Sequence, residues 1–512
     1  MDKEKSGKAF RCAALGLLFS ALAVRLRFLY SSLQYDELWS WQFFSRLDIP
    51  EILFSLALPN NHPLNTIAIK AASAVTGDIF AIRYFPLLCG VLLIPLIYFV
   101  TKVWSQSRTA SVIAAIFAAF SAPLVIYSAL ARGYMPQAFF FAITAAGFAC
   151  FTKEYVDKYA KAGFAMILIG GTGTILSVPT GIVFLAGLVL AIICRYRSKP
   201  HKLLIYALAA GAVIAGVYYI AAYSQLTAAQ KWSTGGNYFI QCGNILFSTG
   251  CFALLSLSLT GCLINPRLVL PLMVIPLTVL LSGAVTGLGP ERTYIIFTAV
   301  FACASGIAVD TIYKFKYKNS SRFLPVTAAV LLFLAPLGMQ PVFFRSWQLP
   351  EWKLADVKTP STTLCIYTAN SGYPMLWNHG EDFLAEYQKR VGKSYLDTLR
   401  VYAGNGIING MDDAHNEKNI PAPLTGKSGD DAILGVFHEY ALEPYNGTAP
   451  ENSCFLVVSP LSKYKLSPPE NALRLNPLFE NSPGNGSCSV HFTTTPPAPA
   501  MGRNIFVIKS AI

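Results

Sequence analysis

Long apolar runs separated by short polar segments repeat along the first two thirds of the chain. Runs near 20 residues are long enough to cross a bilayer as helices. The pattern therefore predicts a polytopic α-helical membrane protein. Its eleven predicted spans lie near 10–30, 83–103, 107–126, 133–152, 162–176, 178–194, 203–223, 245–263, 267–285, 292–312 and 323–341.

The pattern changes after residue 345. Residues 346–512 are polar, contain turn signals such as N-G and P-G-N-G, and hold short strand-like runs, for example at 454–459 and 504–509. We predict a membrane module over 1–345 and a C-terminal α/β or α+β domain over 346–512. Cys454 and Cys488 of that domain could pair in an oxidising compartment.

Composition supports the membrane assignment. Of the residues, 54% are hydrophobic and only 13% are charged, and the mean hydropathy is +0.47. Soluble proteins carry about 25% charged residues. Four basic residues precede the first apolar run, and no A-x-A-like cleavage site follows it, so we predict that this run stays as an uncleaved helix.

The net charge of +13 is unevenly distributed. Residues 346–512 hold 13 basic and 16 acidic side chains, so the excess lies in short loops between apolar runs. This is the distribution of a topology signal, and nucleic-acid binding is not indicated. Positive loops stay in the cytoplasm, which predicts a cytoplasmic N-terminus in the cytoplasmic (inner) membrane. With an odd span number, the C-terminal domain is then extracytoplasmic (periplasmic).

The first predicted outer loop, residues 31–82, is unusually long and carries two adjacent acids. Asp36 and Glu37 stand in Y-D-E-L-W-S-W-Q, and the pattern of the loop predicts one or two amphipathic helices lying on the membrane. Carboxylates next to a bilayer are expensive unless they are hydrated, paired or used. One interpretation is a structural charge at a helix N-terminus, and the other is a catalytic carboxylate.

The same loop contains N-N-H-P-L-N at residues 60–65. Pro63 restricts the backbone of His62 to extended conformations. Alone, the motif predicts only a turn. Its place in the loop that carries Asp36 and Glu37 makes His62 a candidate substrate-binding residue.

Together these motifs resemble the GT-C glycosyltransferases. That superfamily includes protein O-mannosyltransferases, the aminoarabinose transferase that acts on lipid A, and RgtA/B/C/D-like enzymes. The similarity covers roughly residues 10–310. Its motifs are R-L-R-F-L-Y-S-S-L-Q-Y-D-E-L-W-S, N-N-H-P-L, G-D-I-F-A-I-R-Y-F-P, Y-S-A-L-A-R-G-Y-M-P-Q and P-E-R-T-Y.

The resemblance implies an inverting transfer of a sugar from a polyprenyl-phosphate donor to an acceptor hydroxyl of a glycan, lipid or protein, at the outer face of the membrane. An attacking hydroxyl must lose a proton, and a positioned carboxylate can accept it. Asp36 matches the family's catalytic acid. Glu37 would orient the acceptor or bind a metal, so a divalent cation is left open as a cofactor.

The departing lipid phosphate needs positive charge. The candidates on the outer side are Arg132 and Arg292, and then Arg25, Arg27 and Arg83. Each could instead snorkel to lipid headgroups or pair with an internal acid. Tyr134 could hydrogen-bond the phosphate or the sugar, and Lys231 is a weaker candidate.

Departures from the family pattern leave other functions open. H-P-L replaces the fuller H-P-P-L, the 127–137 segment lacks a second carboxylate, and no ligand cluster accompanies His62. The alternatives are a transporter or flippase for lipid-linked sugars and an O-antigen-type polymerase or ligase. Transporters place ionisable residues in mid-span within repeated halves, a pattern that this chain lacks.

Overall fold

A computed structural model describes the helical part of the chain and eight strands near its C-terminus. The described residues are 2–30, 33, 35–42, 44–56, 61–76, 79–196, 200–229, 237–250, 252–316 and the strands within 351–509. The chain divides into two compact units. The helical unit comprises Met1–Tyr30 and Phe44–Gln340, and the second unit comprises Ser31–Phe43 and Pro341–Ile512.

Most of the described chain is α-helical. In chain order the helices are α1 (Asp2–Leu29), α2 (Tyr35–Gln42), α3 (Ile49–Phe54), α4 (Pro63–Val75), α5 (Tyr84–Ser105), α6 (Arg108–Phe120), α7 (Ala122–Ser128), α8 (Tyr134–Ala149), α9 (Val156–Ser177), α10 (Gly181–Arg195), α11 (Lys202–Ala221), α12 (Tyr223–Ala229), α13 (Tyr238–Gly250), α14 (Phe252–Ile264), α15 (Pro266–Thr286) and α16 (Ile296–Lys316). Within the described ranges, 3₁₀ turns lie at Phe44–Arg46, Ile79–Arg83 and Glu291–Tyr294.

Six of the described helices are long and apolar enough to cross a membrane, namely α1, α5, α9, α11, α15 and α16. The pair α6 and α7 is a seventh candidate, bent by 54°. Large apolar side chains are exposed along such helices, for example Val213, Val217 and Ile220 of α11. Exposed apolar faces of this length belong in lipid, so the chain is a multi-pass membrane protein.

The described helices differ in length from some of the predicted spans. The span predicted near 245–263 falls on two shorter helices, α13 and α14. The helix α10 is apolar but only 15 residues long. The last predicted span, 323–341, lies outside the described residues. The count of eleven therefore stays a prediction.

The bend between α6 and α7 has a covalent cause. Pro123 has no backbone N–H to bond the carbonyl of Ala119, and Ser121 is extended with ψ near 124°. Buried Arg25 of α1 fills the gap, because its Nη1 donates to the Ala119 oxygen at 2.8 Å and its Nη2 to the Ala118 oxygen at 3.3 Å. Arg25 thereby fixes α1 to the bend between α6 and α7.

The most buried of the six candidate spans is α16, which packs on α6 and α14. Of its membrane-span window, 83% is buried. A Cβ on Gly306 would lie 2.5 Å from the Ala110 oxygen, so the glycine permits α16 to approach α6 closely. Ser305 and Ser258 join α16 to α14 through their hydroxyls, 3.2 Å apart. Small and hydroxyl residues at the contact are typical of helix packing in membranes.

The segment predicted as the first outer loop is helical, and three α-helices form where one or two were expected. Asn61 fixes the connection between α3 and α4. Its Nδ2 donates to the carbonyls of Ile52 and Ser55, each at 2.8 Å, and its Oδ1 accepts from Thr66 at 2.9 Å. The end of α3 and the start of α4 are therefore held together at His62.

The second unit contains α2 and eight short strands. The strands are β1 (Glu351–Leu354), β2 (Thr363–Thr368), β3 (Leu399–Ala403), β4 (Leu442–Pro444), β5 (Ser453–Pro460), β6 (Ala472–Leu475), β7 (Val490–Thr493) and β8 (Arg503–Lys509).

Six of these strands form a mixed sheet in the order β4-β3-β2-β5-β8-β6, and β1 pairs with β7. The strands β4, β3, β2 and β5 are parallel neighbours, whereas β8 runs antiparallel to β5 and β6. The runs near 454–459 and 504–509 fall on β5 and β8 and pair with each other, Leu456 with Val507. Cys488 lies outside the described residues.

Candidate active site

Tyr134 lies at the centre of a polar cluster inside the helical unit and contacts each of its other members. It is the first residue of α8, directly after the turn that carries Arg132, and it is buried. Its ring packs edge-on against those of His62 and Tyr127, with centroids 4.8 and 5.6 Å away. The cluster therefore joins the start of α4, the end of α7 and the start of α8.

Two arginines converge on the phenol oxygen of Tyr134. Arg292, in the 3₁₀ turn before α16, donates from Nε to Tyr134 Oη at 3.0 Å. Arg132 approaches the same oxygen with Nη2 at 3.5 Å, and its guanidinium carbon lies 5.6 Å from the ring centroid. Since both arginines donate, the phenol's own proton must point elsewhere, and no described residue accepts it. The cluster therefore offers donors to an anion.

His62 packs against the ring of Tyr134 and precedes the first residue of α4. Its Nδ1 lies 3.2 Å from the carbonyl oxygen of Ser177, at the end of α9. Burial, reinforced by the positive charges of Arg132 and Arg292, holds the pKa of His62 well below its usual value of 6.5, against the opposing effect of the Ser177 carbonyl. His62 is therefore neutral at physiological pH.

Gly133 allows this close packing. A Cβ at this position would lie 2.3 Å from the Ser177 oxygen and 2.7 Å from the His62 Cβ. Any larger residue would push the turn away from α4 and α9. The glycine of A-R-G-Y-M is thus explained by steric contact, which the sequence alone did not identify.

The end of α9 supplies further polar contacts that the sequence analysis missed. Helix ends leave carbonyl groups without partners within the helix. His62 takes the carbonyl of Ser177, and Gln137 of α8 donates from Nε2 to the next carbonyl, Val178, at 3.4 Å. The signal was weak, because a buried glutamine one turn into an apolar helix has no distinctive spacing.

Three buried side chains in this region have polar atoms for which the described part of the chain supplies no hydrogen-bond partner. They are His62 at Nε2, Gln137 at Oε1, and Asn65 at both Nδ2 and Oδ1. His62 and Asn65 lie three residues apart at the start of α4, so they share one side of its first turn.

Of the remaining candidate arginines, Arg25 and Arg27 lie in α1, and Arg83 ends the 3₁₀ turn before α5. Arg83 donates from Nη1 to the carbonyl of Leu29, the last residue of α1, at 2.6 Å, and it is fully buried. Arg27 is exposed in the last turn of α1. Arg25 bonds the break between α6 and α7 and the hydroxyl of Ser128, which is a structural role. Lys231 lies outside the described residues.

The two candidate acids occupy the first turn of α2, in the second unit. Glu37 is fully buried and Asp36 is half-buried. The Ser40 hydroxyl bonds the Asp36 carbonyl at 3.0 Å. Negative charge in a first turn is favourable next to the helix dipole, so this placement agrees with the structural interpretation and with the catalytic one.

The cluster around Tyr134 does not suit a divalent cation. Among the described residues, no group of three His, Cys, Asp or Glu side chains is placed to hold a metal ion. Two guanidinium groups next to His62 also oppose a second cation. The residues of this cluster fit an anion and not a metal.

A model of the family described as dolichyl-phosphate-mannose-protein mannosyltransferase matches residues 52–197. The matched segment contains His62, Arg132 and Tyr134, begins after Asp36 and ends before Arg292. It confirms the resemblance to GT-C membrane glycosyltransferases that the motifs predicted. The chain matches no curated protein sequence at a significant level.

The chain is similar to three solved structures at low sequence identity. ArnT from Cupriavidus metallidurans in the apo state is 11% identical, with 90% of this chain and 93% of that chain covered and a TM-score of 0.47. ArnT from the same organism bound to undecaprenyl phosphate is 12% identical, with 89% of this chain and 93% of that chain covered and a TM-score of 0.46. AglB from Archaeoglobus fulgidus, in complex with an inhibitory peptide and a dolichol-phosphate, is 13% identical. The match covers 87% of this chain and 69% of that chain, with a TM-score of 0.42.

Proposed function

We propose that this protein is a glycosyltransferase that takes a sugar from a polyprenyl-phosphate donor and transfers it to an acceptor hydroxyl. The observation that carries the proposal is the convergence of Arg132 and Arg292 on the Tyr134 oxygen. These residues come from distant parts of the chain. The matched family's description names a dolichyl-phosphate sugar donor, which supports the same class of substrate.

The cluster is suited to the leaving group of such a reaction. As the bond between the sugar and the phosphate breaks, negative charge accumulates on the phosphate oxygens. Guanidinium groups donate charge-assisted hydrogen bonds to phosphate, and a buried site strengthens them. The Tyr134 hydroxyl supplies a further proton in the same place. The group that needs stabilisation is thus an anion joined to a lipid, which a membrane-embedded enzyme can reach through the bilayer.

Asp36 is the proposed general base. The acceptor oxygen attacks the anomeric carbon, its proton passes to the Asp36 carboxylate, and the electron pair of the broken bond leaves on the lipid phosphate. A single displacement of this kind inverts the anomeric centre. Glu37 orients the acceptor. The support for these roles is the position of the D-E pair after the first apolar run and the half-buried state of Asp36.

The proposed location is the outer face of the cytoplasmic membrane. The support is the charge asymmetry of the loops, with an excess of positive charge on the side of the N-terminus. The first outer segment with α2 and α4 then faces the periplasm, and so does the predicted C-terminal domain over 346–512. Substituted-cysteine labelling from outside intact cells at Asp36→Cys tests this orientation.

Binding of undecaprenyl phosphate to the purified protein in nanodiscs tests the clamp without knowledge of the sugar. Arg132→Ala and Arg292→Ala should each weaken binding by roughly 10- to 100-fold, since a hydrogen bond to a charged group contributes about 1.5–3 kcal/mol. Arg108→Ala is the matched control, because this exposed arginine begins α6, at the far end of α6–α7 from Tyr127. Equal affinities in all four proteins would disprove the clamp.

Sugar transfer tests the proposed base. In membranes supplied with polyprenyl-phosphate mannose and an extract of cell-envelope acceptors, Asp36→Asn should reduce transfer by about 10²–10⁴-fold and leave undecaprenyl phosphate binding intact. An Asp36→Asn protein with normal turnover would assign this acid to helix stability alone.

A further inference from the structure

The structure fixes which nitrogen of His62 carries the proton. The Ser177 carbonyl can only accept a hydrogen bond, so Nδ1, 3.2 Å away, is the protonated nitrogen. The depressed pKa keeps the ring neutral. Nε2 therefore carries a lone pair and can only accept. It is buried, and no described residue donates to it.

A buried acceptor without a donor is costly for the folded protein. Such a group costs about 1–3 kcal/mol relative to a satisfied one. Asn65, on the same side of α4, adds an amide whose two polar atoms are also unsatisfied. A buried polar atom without a partner calls for an explanation, and a ligand that supplies the missing partner is one.

The charges around His62 select the kind of partner. A metal ion or an ammonium group would be repelled by Arg132 and Arg292, whose positive charges already depress the pKa of His62. An ionised phosphate oxygen is also only an acceptor, so it cannot form a hydrogen bond with the lone pair of His62 Nε2. A neutral hydroxyl fits, because it donates a hydrogen bond and carries no charge.

We infer that His62 Nε2 accepts a hydrogen bond from a hydroxyl of the sugar being transferred, and that Asn65 binds a second polar group of the same sugar. The inference rests on the proposed function. His62 and the two arginines all contact or surround the ring of Tyr134. A sugar is bonded directly to its phosphate, so a phosphate held by the arginines places the sugar next to His62.

The inference narrows the class of donor. The favoured sugar carries a neutral hydroxyl at the position facing His62. A sugar with a protonated amine at that position is disfavoured, because the amine would enter the positive field of Arg132 and Arg292. Specificity for the sugar would thus come from His62 Nε2, which accepts a hydrogen bond from an uncharged sugar hydroxyl.

The test compares undecaprenyl phosphate with undecaprenyl phosphate bearing mannose, glucose or galactose, in nanodiscs. His62→Asn keeps a donor for the Ser177 carbonyl and removes the lone pair at Nε2. We expect it to weaken the best-bound sugar lipid by about 5- to 10-fold, the effect of one neutral hydrogen bond, and to change affinity for the bare lipid less than twofold. His201→Asn, at the start of α11, is the histidine control and should change neither affinity.

Asn65→Leu separates binding from folding. Leucine has a similar volume and no polar atoms, so the buried, unsatisfied amide disappears. The melting temperature should stay the same or rise, while affinity for the sugar lipid falls about 5- to 10-fold. A lower melting temperature with unchanged sugar-lipid affinity would show that Asn65 serves the fold, and would overturn its part of the inference.

Deoxy sugars on the wild-type protein keep the test independent of any variant. One monodeoxy form of the preferred sugar should bind about 5- to 10-fold more weakly, and His62→Asn should not weaken it further. If all deoxy forms bind equally, or if the sugar-bearing lipids bind no more tightly than the bare lipid, the inference is wrong and the clamp stands. If the bare lipid does not bind either, the proposed function itself fails.

Discussion

Arg25 and Arg132 are buried arginines of the same helical unit, and their surroundings differ. Arg25 directs its guanidinium to three backbone carbonyls and the Ser128 hydroxyl, all within 3.3 Å. Arg132 meets Arg292 at one phenol oxygen, next to a histidine whose pKa is lowered by burial and further by their charges.

The difference separates a structural arginine from one that we propose binds a ligand. Around Arg25, the protein provides acceptors that the break after α6 leaves without helical partners, so the positive charge completes the fold. Around Tyr134, two guanidinium groups and a phenol hydroxyl come together next to a buried histidine. The first arrangement completes the fold, and the second is the proposed clamp for a lipid phosphate.

The largest expected effect is the loss of stability in Arg25→Met. Methionine retains most of the volume, but the carbonyls of Ala118 and Ala119 lose their donor. We expect the protein to lose roughly 2–5 kcal/mol of stability, because each buried acceptor left unsatisfied costs about 1–3 kcal/mol. The melting temperature in detergent measures this loss.

The matched change Arg132→Met serves as the comparison for Arg25→Met. It should leave the melting temperature close to that of the wild type and weaken undecaprenyl phosphate binding. A large stability loss in both variants would remove the distinction between the two regions.

Two glycines allow a second, smaller comparison. Gly90→Ala places a Cβ 2.7 Å from the Ser128 Cβ, next to Arg25, and Gly133→Ala places one 2.3 Å from the Ser177 oxygen. Overpacking of this kind costs about 1–3 kcal/mol. Both variants should melt at lower temperature.

Only Gly133→Ala should also weaken lipid binding, because it displaces the turn between Arg132 and Tyr134 from His62. The affinity for undecaprenyl phosphate, measured by isothermal titration calorimetry, distinguishes Gly133→Ala from Gly90→Ala. Weaker binding in Gly90→Ala at a temperature where it remains folded would contradict the separation.

Tyr134→Phe should have a moderate effect. The ring contacts with His62 and Tyr127 remain, while the oxygen that orients Arg292 is lost. We expect affinity for undecaprenyl phosphate to fall by about 3- to 10-fold, as for a hydrogen bond of 0.5–1.5 kcal/mol, with little change in melting temperature. An affinity equal to that of the wild type would show that the phenol oxygen plays no part in the clamp.

The smallest expected effect concerns pH. The pKa of His62 is lower in the folded protein than in the unfolded chain, where it is near 6.5. The unfolded chain therefore takes up the proton first, and stability falls as the pH drops below 6.5 but is unaffected above it.

The affinity for lipid should therefore depend on pH in the same way in the wild type and in His62→Gln between pH 6.5 and 8, because His62 stays neutral over this range. The pH profiles of the two proteins in a binding assay check this. A step near pH 7 that is present in the wild type and absent in His62→Gln would mean that the ring is protonated in the site.

The amino-acid sequence alone determined the membrane class of the protein, because apolar runs of span length are a local property. It also predicted the resemblance to GT-C glycosyltransferases, and it selected His62, Arg132, Tyr134 and Arg292, which the fold brings together. Conversely, it grouped Arg25 with the candidate phosphate ligands, since charge and approximate depth were all that the pattern contained.

Only the tertiary structure gave each arginine its partners. Arg25 bonds the break in a helix 94 residues away, and Arg292 bonds a phenol 158 positions earlier. The tautomer of His62 depends on a carbonyl at the end of α9. Hydrogen-bond partners of this kind are set by helix packing, and a linear pattern of apolar and polar residues does not specify which helix ends meet.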